Sequence, residues 1–259
     1  MLFVLGAVVE AGHPPFRLFT TEDGLVRNWV ERIRRDSKGY LWLCTVEGLS
    51  LFDGYRFTNF TTQDGLPSRL VFDVTECNGE YWLGTGAGLS RLLPVAGNGG
   101  SSFETFRLGA SKFANEIHTM MRDSEGNLWC GTSEGLYRVR FRGKQPQPES
   151  APLAGGPTAV AALLEDGHGR IWVGTSNGAF VRSPGARVSR IEPKLLSPEI
   201  NAMLLDRSGR LWLGVEGLMA VDPESKPPAV TAVYRYLEGK PLHVRALHQD
   251  GSGNIWIGA

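Results

Sequence analysis

The side chains able to do chemistry in this chain are few and scattered. Histidines stand at His13, His118, His168, His243 and His248. The last two are five apart on or beside an expected strand. Strand neighbours alternate faces, so an odd separation sets them on opposite sides and argues against a shared metal. Cys44, Cys77 and Cys130 are an odd number without C-x-x-C spacing, which indicates neither a disulfide framework nor a zinc site. Cys44 and Cys130 lie beside tryptophan-bearing segments and read as small buried residues. Cys77 falls in an expected turn and is the one thiol with a prospect of reactivity. Aspartates recur in a D-x-x-G setting at Asp36, Asp123, Asp166, Asp206 and Asp250. A calcium loop would need oxygen ligands at alternate positions, which this spacing does not supply. Such an aspartate instead accepts backbone N–H bonds inside its own turn. There is no P-loop, G-x-S-x-G, H-E-x-x-H or G-x-G-x-x-G. The sequence therefore predicts no catalytic set, no metal and no cofactor.

The aspartates belong to an internal repeat. D-S-K-G-Y-L-W at 36–42 returns as E-C-N-G-E-Y-W at 76–82 and D-S-E-G-N-L-W at 123–129. It returns again as D-G-H-G-R-I-W at 166–172, D-R-S-G-R-L-W at 206–212 and D-G-S-G-N-I-W at 250–256. Six of the seven tryptophans take this one position: Trp42, Trp82, Trp129, Trp172, Trp212 and Trp256. A second half, T-x-x-G-L or a close variant, follows at 45–49, 85–89, 132–136 and 175–179, and is one residue shorter at 214–218.

Each repeat reads as four short strands. A first strand precedes the acidic turn (117–121, 160–164, 200–205). The D-x-x-G turn closes a hairpin onto a second strand carrying the tryptophan. The T-x-x-G-L turn leads to a third (49–52, 136–139), and a fourth follows (55–60, 103–108, 233–237). Four strands at roughly 40 to 45 residues is the arithmetic of a propeller blade. The predicted fold is all-β: a β-propeller of four-stranded antiparallel blades, about five and a half of them, filling residues 16–259. The tryptophan on each second strand is the expected packing residue between blades, since a lone blade leaves a face bare. Residues 16–25 repeat 57–66, so the chain is read as opening on an unpartnered fourth strand. The stretches 94–102 and 142–158 are read as surface insertions, the latter mobile.

Composition narrows the class. With 27 basic and 27 acidic side chains, the net charge is zero and exerts no long-range pull on nucleic acid. The basic cluster Arg32, Arg34, Arg35 and Lys38 is read as a solvated edge. Residues 2–9 are uncharged but too few to span a bilayer. With V-E-A at 9–11 they suggest a secretory remnant over 1–15, although no basic n-region precedes them.

These residues resemble the two-component regulator propeller repeat, whose pattern is close to D-x-x-G-x-[LI]-W-[IL]-G-T-x-x-G-L followed by D-G-L. The resemblance covers 16–259 in six copies. It implies a ring of seven blades. It also implies an extracytoplasmic sensor segment, placed in the periplasm or beyond, of a membrane-anchored regulator such as a hybrid histidine kinase or a diguanylate cyclase. The expected function is ligand sensing in a phosphorelay, with a carbohydrate or similar small molecule as ligand. The segment itself is not expected to be an enzyme. Its expected partners are an oligosaccharide, the remaining blades and output domain of the parent, and a membrane only through a further segment. Association into dimers through open blade faces is also expected. The shared motif is scaffold, so no ligand residues carry over.

Topology supplies candidates instead. Residues at or just ahead of each first strand point to the channel mouth: Trp29, Glu31, Arg69, Glu116, His118, Asn201, His243 and Arg245. Trp29 is the one tryptophan the repeat does not use, and a sugar ring could stack on it. Two alternatives are kept. A propeller lyase of the streptogramin-inactivating kind would need a channel-facing histidine, for which His118 and His243 are the candidates. A protein-interaction scaffold needs none.

Overall fold

The computed structural model describes residues 17–94, 101–191, 199–225, 228–237 and 239–259. The secretory-type segment 1–15, His13 and most of 94–102 lie outside them. Five four-stranded antiparallel sheets follow one another in chain order. The first comprises Val30–Arg35, Leu41–Thr45, Gly48–Phe52 and Phe57–Phe60. The second comprises Val71–Cys77, Glu80–Thr85, Gly88–Pro94 and Ser101–Phe106. The third comprises Ile117–Arg122, Leu128–Thr132, Leu136–Arg142 and Gln145–Ala151. The fourth comprises Val160–Glu165, Ile171–Thr175, Gly178–Arg182 and Ser189–Arg190. The fifth comprises Ala202–Leu205, Leu211–Val215, Gly217–Asp222 and Ala229–Tyr234. A sixth unit has two strands, Ala246–Gln249 and Ile255–Gly258. In every blade, the first strand packs against the first strand of the next. Among the described residues, no strand of the sixth unit pairs with the first blade.

Three local devices repeat. In five of the six repeats the aspartate of the D-x-x-G turn uses one carboxylate oxygen for backbone N–H groups of its own turn, as at Asp36 with Lys38 and Tyr40. Its other oxygen accepts from the indole N–H six residues on. The distance is 3.0 Å from Trp42, 2.8 Å from Trp129, 2.7 Å from both Trp172 and Trp212, and 2.8 Å from Trp256. The constant spacing of six is therefore a turn closure and a ring orientation in one residue. In the T-x-x-G turn, the threonine hydroxyl donates to the glycine carbonyl, at 2.9 Å for Thr45 and 2.7 Å for Thr175. The D-G-L connections are short 3₁₀ turns, Thr21–Asp23 and Thr62–Asp64, each closed by a reciprocal threonine–aspartate capping box that leaves Leu25 and Leu66 buried.

The seam between blades is a knob meeting a glycine. A Cβ on Gly131 would lie 2.5 Å from Val160 Cγ1, and one on Gly174 2.7 Å from Ile200 Cγ2. Val160 and Ile200 belong to the next repeat and are fully buried. Gly84 and Gly214 meet Ile117 and Val244 in the same way. Each tryptophan then closes the packing layer: five of the six are less than a tenth exposed, whereas Trp256 is 63% exposed. No described strand lies over the Trp256 ring.

The second blade departs from the repeat as read in the sequence. The strand register pairs Glu76 with Tyr81, the position held by Glu165 opposite Ile171 in the fourth blade. Cys77, not Glu76, therefore stands where other blades have the aspartate. The turn is one residue shorter, an Asn78-Gly79 hairpin with φ of 54° and 76°. No carboxylate reaches Trp82, and its indole nitrogen is buried without a partner. The same register overturns the view of Cys77 as a reactive turn residue. It ends a strand and is buried, and burial pushes its thiol up to about 11.

One further expectation is corrected. Residues 145–151 are not a mobile insertion but the fourth strand of the third blade, in continuous register with Leu136–Arg142. The alternating Pro146 and Pro148 suggested a loop. On an edge strand, however, a residue facing away from the ladder has no N–H to supply, and proline is tolerated. Residues 17–20 belong to no sheet. Phe19 instead packs edge-on against Phe52 and Phe57 of the first blade.

A prediction follows from the orphaned indole. Trp172→Phe removes a hydrogen bond to a charged acceptor, about 1.5–3 kcal/mol, whereas Trp82→Phe removes a donor that has no partner. Both lose similar ring volume. Trp82→Phe is therefore expected to be the milder change by about 2 kcal/mol, read as the difference in urea midpoints. Equal midpoints would contradict this account of the turn.

Candidate functional site

The first strands of the first, third, fourth, fifth and sixth units converge on a channel of about 610 Å³. Behind it lies Asp73, on the first strand of the second blade and fully buried. Arg34 of the first blade grips it with two parallel bonds, Nε to Oδ1 and Nη2 to Oδ2, each 2.9 Å. The backbone N–H of Met120, in the third blade, donates to Oδ2 at 2.8 Å, and that of Val74 to Oδ1 at 2.9 Å. One carboxylate thus ties three consecutive blades at the channel wall. Burial opposes the charge on Arg34, but the facing Asp73 carboxylate prevails and raises its pKa. Arg32 approaches the same carboxylate at 3.6 Å, beyond hydrogen-bonding reach. Arg32 and Arg34 are therefore not a solvated edge. Both are half-buried on one side of their strand, with Glu31, Ile33 and Arg35 exposed on the other.

The eight residues singled out from the sequence divide in two. Glu31, Asn201 and Arg245 line the channel. The Trp29 indole is 66% exposed and donates to Glu31 Oε1 at 2.7 Å, so it sits beside that group rather than in the channel wall. Arg69 pairs with Glu47 of the preceding blade at 2.9 Å. Glu116 accepts from the Ser133 hydroxyl at 3.0 Å and pairs with Lys112 at 3.4 Å. His118 Nε2 lies 2.7 Å from the Ser133 hydroxyl, and its ring packs on Phe72. Burial lowers the His118 pKa. His243 is exposed, whereas His248 lines the channel. The serine, histidine and glutamate are not arranged as a nucleophile relay. The acid contacts the serine directly, where a relay would have it orient the histidine. Among the described residues there is no metal-ligating cluster.

Sequence reasoning missed Arg32, Arg34, Asp73 and His248. The alternation in V-E-R-I-R-R at 30–35 carried the signal for the two arginines, because residues two apart share a face. Asp73 belongs to no motif, and its partners are 39 and 47 residues away.

The model of the two component regulator propeller family matches residues 111–134 and 155–177, which contain the third and fourth D-x-x-G-x-[LI]-W segments. These two segments match the two-component regulator propeller repeat. Among solved structures it is similar to the extracellular domain of the hybrid two-component system BT4673 from B. thetaiotaomicron. Identity is 19% and the TM-score 0.59, over 87% of this chain and 38% of that one. It is also similar to PorZ, a surface component of the type-IX secretion system of Porphyromonas gingivalis. There the identity is 16% and the TM-score 0.69, over 91% of this chain and 39% of that one. Virginiamycin B lyase from Staphylococcus aureus aligns at 12% identity and TM-score 0.67, over 87% of this chain and 75% of that one. At these identities the likeness is one of fold. The chain spans less than two fifths of the BT4673 and PorZ chains. A comparison with curated proteins found no match. No helix among the described residues is long and apolar enough to cross a membrane.

The turn aspartates make the repeat sensitive to acid. The Trp256 indole and the Asn254 amide hold Asp250 at about 2. At Asp36 and Asp166 burial pushes the other way, but hydrogen bonds led by the tryptophan indole prevail and the pKa is lowered. A carboxyl depressed by folding stabilises above its unfolded value, about 3.9, and loses that stabilisation as pH falls through its folded value. The melting temperature is thus expected to hold down to about pH 5 and to fall steeply between about pH 4 and pH 2. Asp166→Asn should flatten part of that slope. A melting temperature unchanged down to pH 3 would contradict this.

Proposed function

We propose that this propeller is the extracytoplasmic ligand-sensing segment of a two-component regulator and performs no chemistry itself. Its ligand is a carbohydrate or similar small molecule held in the channel. The observation that carries this reading is the channel: five repeats surround one 610 Å³ space, and four of them present polar side chains to it. The remaining blades and an output domain, a histidine kinase or a diguanylate cyclase, belong to the parent protein. They would couple the propeller to a phosphorelay, with the membrane engaged only through a further segment. The lyase reading is less favoured. Of its two candidate histidines, His118 is engaged with Ser133 and Phe72, and neither it nor His243 lines the channel.

A panel of neutral and acidic oligosaccharides read by thermal shift tests the proposal. At least one should raise the melting temperature, and replacing Asn201 by alanine should weaken that effect. If no saccharide stabilises the protein while a partner protein does, the scaffold reading replaces it. The bare face around Trp256 and Ile257 adds a separate expectation: concentration-dependent association, monomer to dimer, in sedimentation. A monomer at all concentrations would count against it.

A further inference from the structure

We infer that the channel selects a ligand bearing an anionic group, such as a carboxylate, held between Arg32 and Arg245; the inference rests on the channel being the ligand site. Asp73 is already saturated with donors. Its two oxygens already accept four hydrogen bonds, two from Arg34 and one each from the Val74 and Met120 backbones. A carboxylate offers about four acceptor sites in all. Nothing is left for Arg32, which is attracted to Asp73 by charge yet makes no hydrogen bond to it. Its Nε is buried without a partner. A buried donor left unmade costs free energy, and a guanidinium cannot shed its proton to escape that cost.

Arg32 lines the channel, and so does Arg245, contributed by the sixth unit. Among the described residues, the Arg245 side chain has no hydrogen bond and no ion pair. The only carboxylate in the channel lining is Glu31, which also receives the Trp29 indole. With Asp73 consumed by Arg34, two guanidiniums with unused donors face one carboxylate. Asn201 and His248 add neutral polar groups in the same lining. Guanidiniums hold carboxylate, sulfate or phosphate by paired N–H bonds, and they do so best where water is partly excluded. In a chain of zero net charge, this local excess is a property of the channel rather than of the whole surface.

The test uses D-glucuronate, D-glucose and acetate as probes, with the arginine Nε–H resonances of the intact chain observed by NMR. Glucuronate should shift the Arg32 and Arg245 signals saturably, glucose should not, and exposed Arg207 should stay still. Arg245→Gln should weaken glucuronate binding at least fivefold, and raising the salt should weaken it further. Arg245 bonds to Gly258 through its backbone alone, which the substitution leaves in place, so this variant is expected to fold. Acetate shifts without a glucuronate preference would mean that the site reads the charge alone, which still supports the inference. If glucose moves the channel resonances as strongly as glucuronate, the anion preference fails while the channel survives as the ligand site. If no probe moves Arg32 or Arg245, or if Arg207 moves equally, the inference is overturned. The oligosaccharide panel then judges the channel reading independently.

Discussion

Replacing Asp73 by alanine is expected to lower the melting temperature by roughly 10 °C, from a loss of about 3 kcal/mol and a few degrees per kcal/mol in a chain of this size. The reason is asymmetry. Asp73 is fully buried and pairs with Arg34 through two bonds. Truncating it leaves that guanidinium and the Met120 and Val74 N–H groups without their acceptor. Removing one partner of a buried pair costs about 3–5 kcal/mol, and the lower end applies because the Arg34 side chain is still two-fifths exposed. The effect should be non-additive. With Arg34 already changed to methionine, the further loss of Asp73 strands fewer donors. The double variant should then be less than the sum of the singles by 1 kcal/mol or more. Strict additivity, or a single-variant loss under 1 kcal/mol, would show that Asp73 is not the tie between three blades described above.

Trp172→Ala is expected to cost about 3–5 kcal/mol, the range for emptying a buried aromatic site, whereas Trp256→Ala should cost less than about 1 kcal/mol. The two tryptophans share the repeat position and the hydrogen bond to their turn aspartate. They differ in what lies over the ring. Trp172 packs in a cluster with Ile200, Leu211, Leu213 and Met219 of the next blade, while Trp256 is largely exposed. The comparison thus isolates inter-blade packing from the turn chemistry. Urea midpoints measure it. Should the Trp172 variant fail to accumulate as folded protein, Trp172→Phe provides a graded second point. Similar losses at both sites would place the energy in the aspartate–indole bond instead of the seam.

The scaffold was legible because each of its devices is local. A tryptophan six residues after an aspartate and a glycine two residues further on recur in register, so their meaning multiplies with every copy. The hydrogen bond from indole to aspartate could have been anticipated from that constant spacing. Where the repeat was imperfect, local reading slipped. At 76–82 a two-residue turn replaced a longer one, and only the strand register showed Cys77 in the aspartate's place. At 145–151 prolines hid an edge strand. The candidate site was legible only in part, because it is assembled from positions some forty residues apart. Topology indicated which strands face the channel, hence Glu31, Asn201 and Arg245. It could not indicate that Asp73 would claim Arg34 and leave Arg32 with donors unused.

The glycine seam has an evolutionary consequence. Gly131 is the socket and Val160 the peg, and they are encoded in successive repeats; the same holds for Gly174 with Ile200 and Gly214 with Val244. The second to fifth repeats therefore each carry a socket for their successor, and the third to sixth a peg for their predecessor, while the first repeat has Cys44 at the socket position. Copying one whole unit of the gene inserts a matching socket and peg together, so the new blade fits on both sides from its first generation. A duplication that was not a whole number of repeats would set peg against peg. The seam thus makes the propeller extensible in whole units, and it keeps socket and peg in step even where insertions lengthen a repeat.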